Sequence, residues 1–198
     1  MPRAIKYSLV LLSWLALLSL LSACQSFKAR NGSDQLPLLP QNTWQGSIQV
    51  NQSLEINYEG HNWQGIAVLS MSADKLTMVH LSPLGQRLFT LTYENGKAAP
   101  ETNADTLLAG QTIPAATIVS LLQLATWPVG ALSPYYQGDW RLESDELNRQ
   151  VFYQDERVVT VTRAGMMAKA NSEPWPTSIH IQNAQIDMNI KTLDYKQL

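Results

Sequence analysis

Charge is scarce in this chain. Only 15% of its 198 residues are Asp, Glu, Lys or Arg, with 14 basic and 16 acidic side chains and no basic run anywhere. A nucleic-acid partner requires a basic stripe to meet the phosphates, so none is expected. Cysteine is nearly absent too: Cys24 is the only one, so the chain has no internal disulfide to form. The three histidines, His61, His80 and His180, are isolated and lack metal-ligand spacing, so neither a metal nor a cofactor is expected. The sequence has no G-x-S-x-G elbow and no glycine-rich phosphate loop. Its acid pairs, Asp145/Glu146 and Asp155/Glu156, fall in turn-like segments. Glu55 and Glu59 share a strand face, but no feature pairs them across a cleft. Nothing here supports catalysis, and the protein is expected not to be an enzyme.

The N-terminus is rich where the rest is poor. Arg3 and Lys6 precede an apolar run broken only by serines, ending in Leu21-Ser22-Ala23-Cys24. A positive n-region, an apolar h-region and a small-residue site together read as an export signal over residues 1–23. The ending resembles the bacterial lipobox, which implies acyl chains such as palmitate on Cys24. An uncleaved membrane anchor is the other reading of so long an apolar run. Gln25 after the cysteine, rather than Asp, implies sorting to the outer membrane by the same resemblance. Loss of Arg3 and Lys6 with the signal shifts the formal charge from −2 to −4. Membrane contact would then come from buried acyl CH₂ groups, each contributing about 0.8 kcal/mol, and not from charge. Residues 24–43 are polar and proline-punctuated and read as the lipidated N-terminus and a flexible tether. The other reading is a partly packed extended segment in which Leu36, Leu38 and Leu39 dock.

From residue 44 to 198 the pattern predicts one mainly β domain. Candidate strands cover 44–50, 54–59, 63–71, 76–82 and 86–94, then 140–142, 150–153, 157–163, 178–182 and 186–193. Between the two sets, residues 114–127 predict a helix that begins at Pro114 and is limited by Pro128. It carries no charge, and Ile118, Leu121, Leu122 and Ala125 recur at helical spacing, so it should be buried. The strands are apolar on both faces: Ala67, Leu69 and Met71 oppose Ile66 and Val68, while Leu76, Met78 and His80 oppose Thr77, Val79 and Leu81. A sheet curled around an apolar interior accounts for this. Two readings of that interior stand: side chains and the helix fill it, or it keeps a cavity lined by Leu69, Met71, Leu76, Met78, Ile118, Leu121 and Leu122.

One turn has a residue its own chemistry does not need. In "HLSPLGQRL", Ser82, Pro83 and Gly85 suit the first, second and fourth positions of a tight turn, whereas Leu84 suits none of its requirements. The stretches "LSPLGQRLFTLTY" and "LLQLATWP", joined through Ala109-Gly110-Gln111-Thr112-Ile113-Pro114, resemble the LolB-like outer-membrane lipoproteins. The closer resemblance is to those encoded beside aryl-polyene-type fatty-acid synthesis genes. It implies a half-open antiparallel β-barrel curled around an apolar helix. It also implies a lipid-like or lipidated cargo, an aryl-polyene lipid among the candidates, and a periplasmic carrier protein as a partner. By position it implies membrane contact at Leu84. Ser82 stands where LolB has Asn, and Pro128-Val129 follows the helix in place of a glycine-rich ending, which points to a dedicated paralogue. The rival reading is a structural subunit of an envelope assembly that holds no ligand.

Overall fold

The structure, a computed structural model, describes residues 36–40, 46–58, 60–94, 97–102, 114–167 and 175–198, with the backbone alone over 98–102. Cys24, the expected signal, Glu59 and the 109–113 stretch lie outside the described residues. The described residues belong to one unit, Leu36–Leu198.

Five strands precede the helical segment: β1 (Ile48–Tyr58), β2 (His61–Met71), β3 (Lys75–Leu81), β4 (Arg87–Glu94) and β5 (Lys97–Thr102). Helix α1 (Ala115–Thr126), helix α2 (Val129–Leu132) and a 3₁₀ turn at Ser133–Tyr135 follow. Five more strands complete the chain: β6 (Trp140–Ser144), β7 (Asn148–Tyr153), β8 (Glu156–Met167), β9 (Trp175–Asn183) and β10 (Ile186–Gln197). All ten join one antiparallel sheet in the order β5-β4-β3-β2-β1-β10-β9-β8-β7-β6. Two meanders are therefore sewn together by the first and last of these strands, and among the described residues β5 and β6 are the edges. Helix α1 lies in the connection between those edges and packs against β5 as well as β8 and β9. One helix can touch both halves only if the sheet bends around it. The fold is a mainly β, half-open antiparallel barrel with α1 in its concavity.

Burial alternates along the strands because successive Cβ atoms point to opposite faces. In β1 the buried set is Ile48, Val50, Gln52, Leu54, Ile56 and Tyr58. In β2 and β3 it is Ala67, Leu69 and Met71, then Leu76, Met78 and His80. Register brings these into direct pairs: Leu69 with Met78, Met71 with Leu76, Leu76 with Tyr93 and Met78 with Leu91. From the other side α1 contributes an unbroken buried run, Ile118 to Ala125. Each fully buried Leu or Met contributes about 1.5–3 kcal/mol relative to exposure, so this interior is the chief source of stability.

Three expectations need correction. The segments 44–50 and 54–59 belong to one strand as far as they are described: Asn51-Gln52 reads as a turn, but β1 is paired on both sides, and that pairing overrides local propensity. Opposite Gln52, β10 absorbs an extra residue, Leu193, as a bulge. The pattern predicts no strand over Lys97–Thr102, because Lys-Ala-Ala-Pro-Glu-Thr looks like loop. This segment is an edge strand, where Pro100 can lack an N–H without breaking a second ladder. The β7–β8 hairpin tip is Gln154-Asp155 rather than Asp155-Glu156. Both residues take positive φ, 48° and 65°, as a two-residue I′-like turn demands.

Candidate functional site

The 82–85 turn is built by Ser82. Its hydroxyl oxygen accepts the N–H of Leu84 at 3.3 Å and of Gln86 at 3.1 Å. The Ser82 N–H donates to the Gln86 carbonyl at 2.8 Å, and the Ser82 carbonyl accepts from the Gly85 N–H at 2.9 Å. Gly85 sits at φ +80°, a conformation that glycine adopts without strain. With the backbone fixed in this way, Leu84 is held out and is 88% exposed, the highest exposure recorded for a large apolar side chain among the described residues.

Pro83 of the same turn lines a groove of about 920 Å³ on the side of the sheet away from α1. Register sets two rows of side chains across its floor. One runs Thr162, His180, Asn189, Glu55, Gln64; the other runs Ala164, Ser178, Lys191, Ser53, Ile66. The second row is mostly small, which lets the backbone form part of the floor. Glu55 is fixed by Asn62 and Gln64, which donate to its Oε1 at 3.0 and 3.2 Å. His180 Nε2 lies 2.9 Å from Asp187 Oδ1. The groove can offer hydrogen bonds of both kinds.

Beside it, β2 and β3 approach closely at Gly65. A Cβ there would stand 2.0 Å from the Leu81 carbonyl oxygen and 2.6 Å from His80 Nε2, so only glycine fits. His80 is buried, with Nε2 unpartnered among the described residues and the ring edge-on to Phe89 at 5.1 Å. Burial alone lowers its pKa from 6.5 to about 4.

Leu69, Met71, Leu76, Met78, Ile118, Leu121 and Leu122 come together on the inner side in one cluster around α1. None of the seven lines the outer groove. His61 stacks on Trp63 at 5.9 Å. Asp145 organises the β6–β7 turn, accepting N–H bonds from Leu147 at 2.8 Å and Asn148 at 2.6 Å. These bonds, with that from the Asn148 side chain, hold its carboxyl below the ordinary value.

Sequence reasoning missed two interior polar residues. Gln123 is buried in α1, and its amide takes both polar groups of Leu39: Oε1 accepts the N–H at 3.0 Å and Nε2 donates to the carbonyl at 2.9 Å. Tyr93 donates to the same carbonyl at 2.5 Å. Of the two readings open for this segment, docking therefore holds over residues 36–40. Arg149, also buried, donates to the carbonyl of Leu124 near the end of α1. Both signals were present in the sequence: a lone amide in an uncharged helix, and an arginine in step with Val151 on a strand.

These features define a class: a half-open β-sheet protein with a buried, uncharged helix and one leucine presented to solvent by a fixed turn. The chain belongs to the family described as "Protein of unknown function (DUF3261)", whose model matches residues 49–194. Curated proteins give no match. Among solved structures, it is similar to a domain assigned to outer membrane lipoprotein sorting from Vibrio parahaemolyticus. That match has 9% identity and a TM-score of 0.44, over 77% of this chain and 85% of the other. A LolA superfamily protein from Nitrosomonas europaea has 13% identity and a TM-score of 0.42, over 81% of this chain and 92% of that one. A DUF1329 family protein from Desulfovibrio piger has 10% identity and a TM-score of 0.37, over 79% and 88%.

Proposed function

We propose that this is a lipid-anchored protein on the periplasmic face of the outer membrane that binds an amphiphile and passes it to the bilayer. It acts by binding and without catalysis. The observation that carries the reading is the presentation of Leu84: a stiff, hydrogen-bonded turn holds an apolar side chain out in solvent, where entry into a bilayer would bury it favourably. The acyl chain of the cargo would lie between α1 and the inner face, against Leu69, Met78 and Leu121. An aryl-polyene lipid is one such cargo. Acylated Cys24 would hold the protein at the membrane. A periplasmic carrier would be the donor.

Leu84→Asp is the direct test. Since the side chain touches little, thermal stability should change by less than about 0.5 kcal/mol. Liposome association and cargo delivery should each fall severalfold. Wild-type behaviour in both assays would reduce Leu84 to an ordinary turn residue.

A second reading is favoured by one observation. The seven inner residues named above are packed in a single cluster with almost no exposure, as in a filled core. A structural subunit with no ligand would look the same.

A further inference from the structure

The inner face carries two arginines that its apolar surroundings do not explain. Arg149 on β7 pairs with Val161 on β8, and Arg163 lies two residues further along β8. The two side chains therefore share a face as diagonal neighbours. Arg149 is only 2% exposed. Its Nη1 donates to the Leu124 carbonyl, and its Nε has no partner among the described residues. Arg163 donates through Nη2 to the carbonyls of Glu146 at 2.9 Å and Asp145 at 3.4 Å, and its Nε is also unpartnered. A third buried polar group, the Tyr136 hydroxyl, is likewise unpartnered and lies within electrostatic reach of Arg149.

The charge balance is one-sided. Asp145 acts on Arg163 from the surface turn, and among the described residues no carboxylate acts on Arg149, whose neighbour Arg163 repels it. Burial and that repulsion lower the Arg149 pKa to about 10, still well above neutrality, so the guanidinium stays charged. Asp145 offsets part of the Arg163 charge, and the carboxyl end of α1 supplies about half a negative charge, which leaves Arg149 short of a full countercharge among the described residues. Buried charges are normally paired, and a buried donor without an acceptor is destabilising.

We propose that Arg149, Arg163 and Tyr136 form an oxyanion site that takes a phosphate or carboxylate group. The anion would accept from Arg149 Nε, Arg163 Nε and the Tyr136 hydroxyl, neutralising the excess charge. Guanidinium groups match such oxygens in geometry as well as in charge. Placed near the end of α1 on the inner face, the site would hold the headgroup of an acidic amphiphile whose chain runs along the helix. That source of the anion rests on the amphiphile-binding reading above; the anion site itself does not.

The test uses the full chain in nonionic detergent and follows thermal unfolding against three probes: dodecyl phosphate, inorganic phosphate and dodecanol. Dodecyl phosphate should raise the Tm of the wild type, and dodecanol should do so far less. Arg149→Met should require at least tenfold more dodecyl phosphate for the same shift, while its probe-free Tm stays level or rises. Arg163→Gln, at a more open position, should weaken the response severalfold and carries the test if Arg149→Met does not fold. A response to inorganic phosphate that matches dodecyl phosphate and is lost in the variants supports the oxyanion site with a free anion as ligand. Equal responses to dodecanol and dodecyl phosphate, unchanged in both variants, overturn the anion site and leave amphiphile binding standing. No response to any probe overturns both.

Discussion

Gln123→Leu should destabilise the protein by about 2–4 kcal/mol, although leucine is the better helix former and the surroundings are apolar. The reason is Leu39. Its N–H has Gln123 Oε1 as partner, and its carbonyl is shared between Gln123 Nε2 and Tyr93. Leucine at 123 would leave that N–H buried without an acceptor and remove one donor from the carbonyl. Tyr93→Phe removes the other donor and should cost about 1 kcal/mol alone. The double variant should not be additive, because both side chains serve one oxygen. Thermal melting would show a drop of roughly 5–10 °C for Gln123→Leu, and protease should gain access near residues 36–40. An unchanged melting temperature would mean that the segment is not clamped. The clamp has a functional side: it ties the chain leading to Cys24 directly to the helix that covers the inner face.

Stability should also fall as pH drops from about 6.5 to about 4, by roughly 3 kcal/mol over the window. The sign follows from His80. Its folded pKa is lowered to about 4 by burial, while the unfolded chain titrates near 6.5, so between those values the unfolded state binds more protons. The stability contributed by the neutral ring is complete above pH 6.5 and fully lost once pH passes below about 4. His80→Phe should flatten this slope. Asp145 does not confuse the measurement: its folded pKa lies below the ordinary carboxylate value, so its contribution is lost only at lower pH. Denaturant titrations of wild type and His80→Phe at pH 7 and pH 4.5 separate the two. A wild type equally stable at both would place His80 in contact with water. The same ring explains Gly65, since any side chain there would strike His80 Nε2 and the Leu81 carbonyl.

Alternation and helical spacing are local signals, so the inner faces of β2 and β3 and the burial of α1 could be read directly. The 82–85 turn was equally legible, because its serine, proline and glycine each have a backbone reason to be there. Features set by partners distant in sequence were not legible. The continuity of β1 depends on β10, some 140 residues away, and β5 is a strand only because β4 offers it an edge. Gln123 meets Leu39 across 84 residues. The outer groove is assembled from five strands and has no single motif. The burial of Arg149 is set by α1, whose Leu124 carbonyl it meets across 25 residues.

The central claim is that the protein carries an amphiphile. The most direct measurement is to export a version that starts after Cys24, purify it without detergent, extract it with organic solvent and identify what it held by mass spectrometry. The account predicts an acyl-bearing molecule in near-stoichiometric amount. A lipid-free protein that also takes up no hydrophobic probe would contradict it.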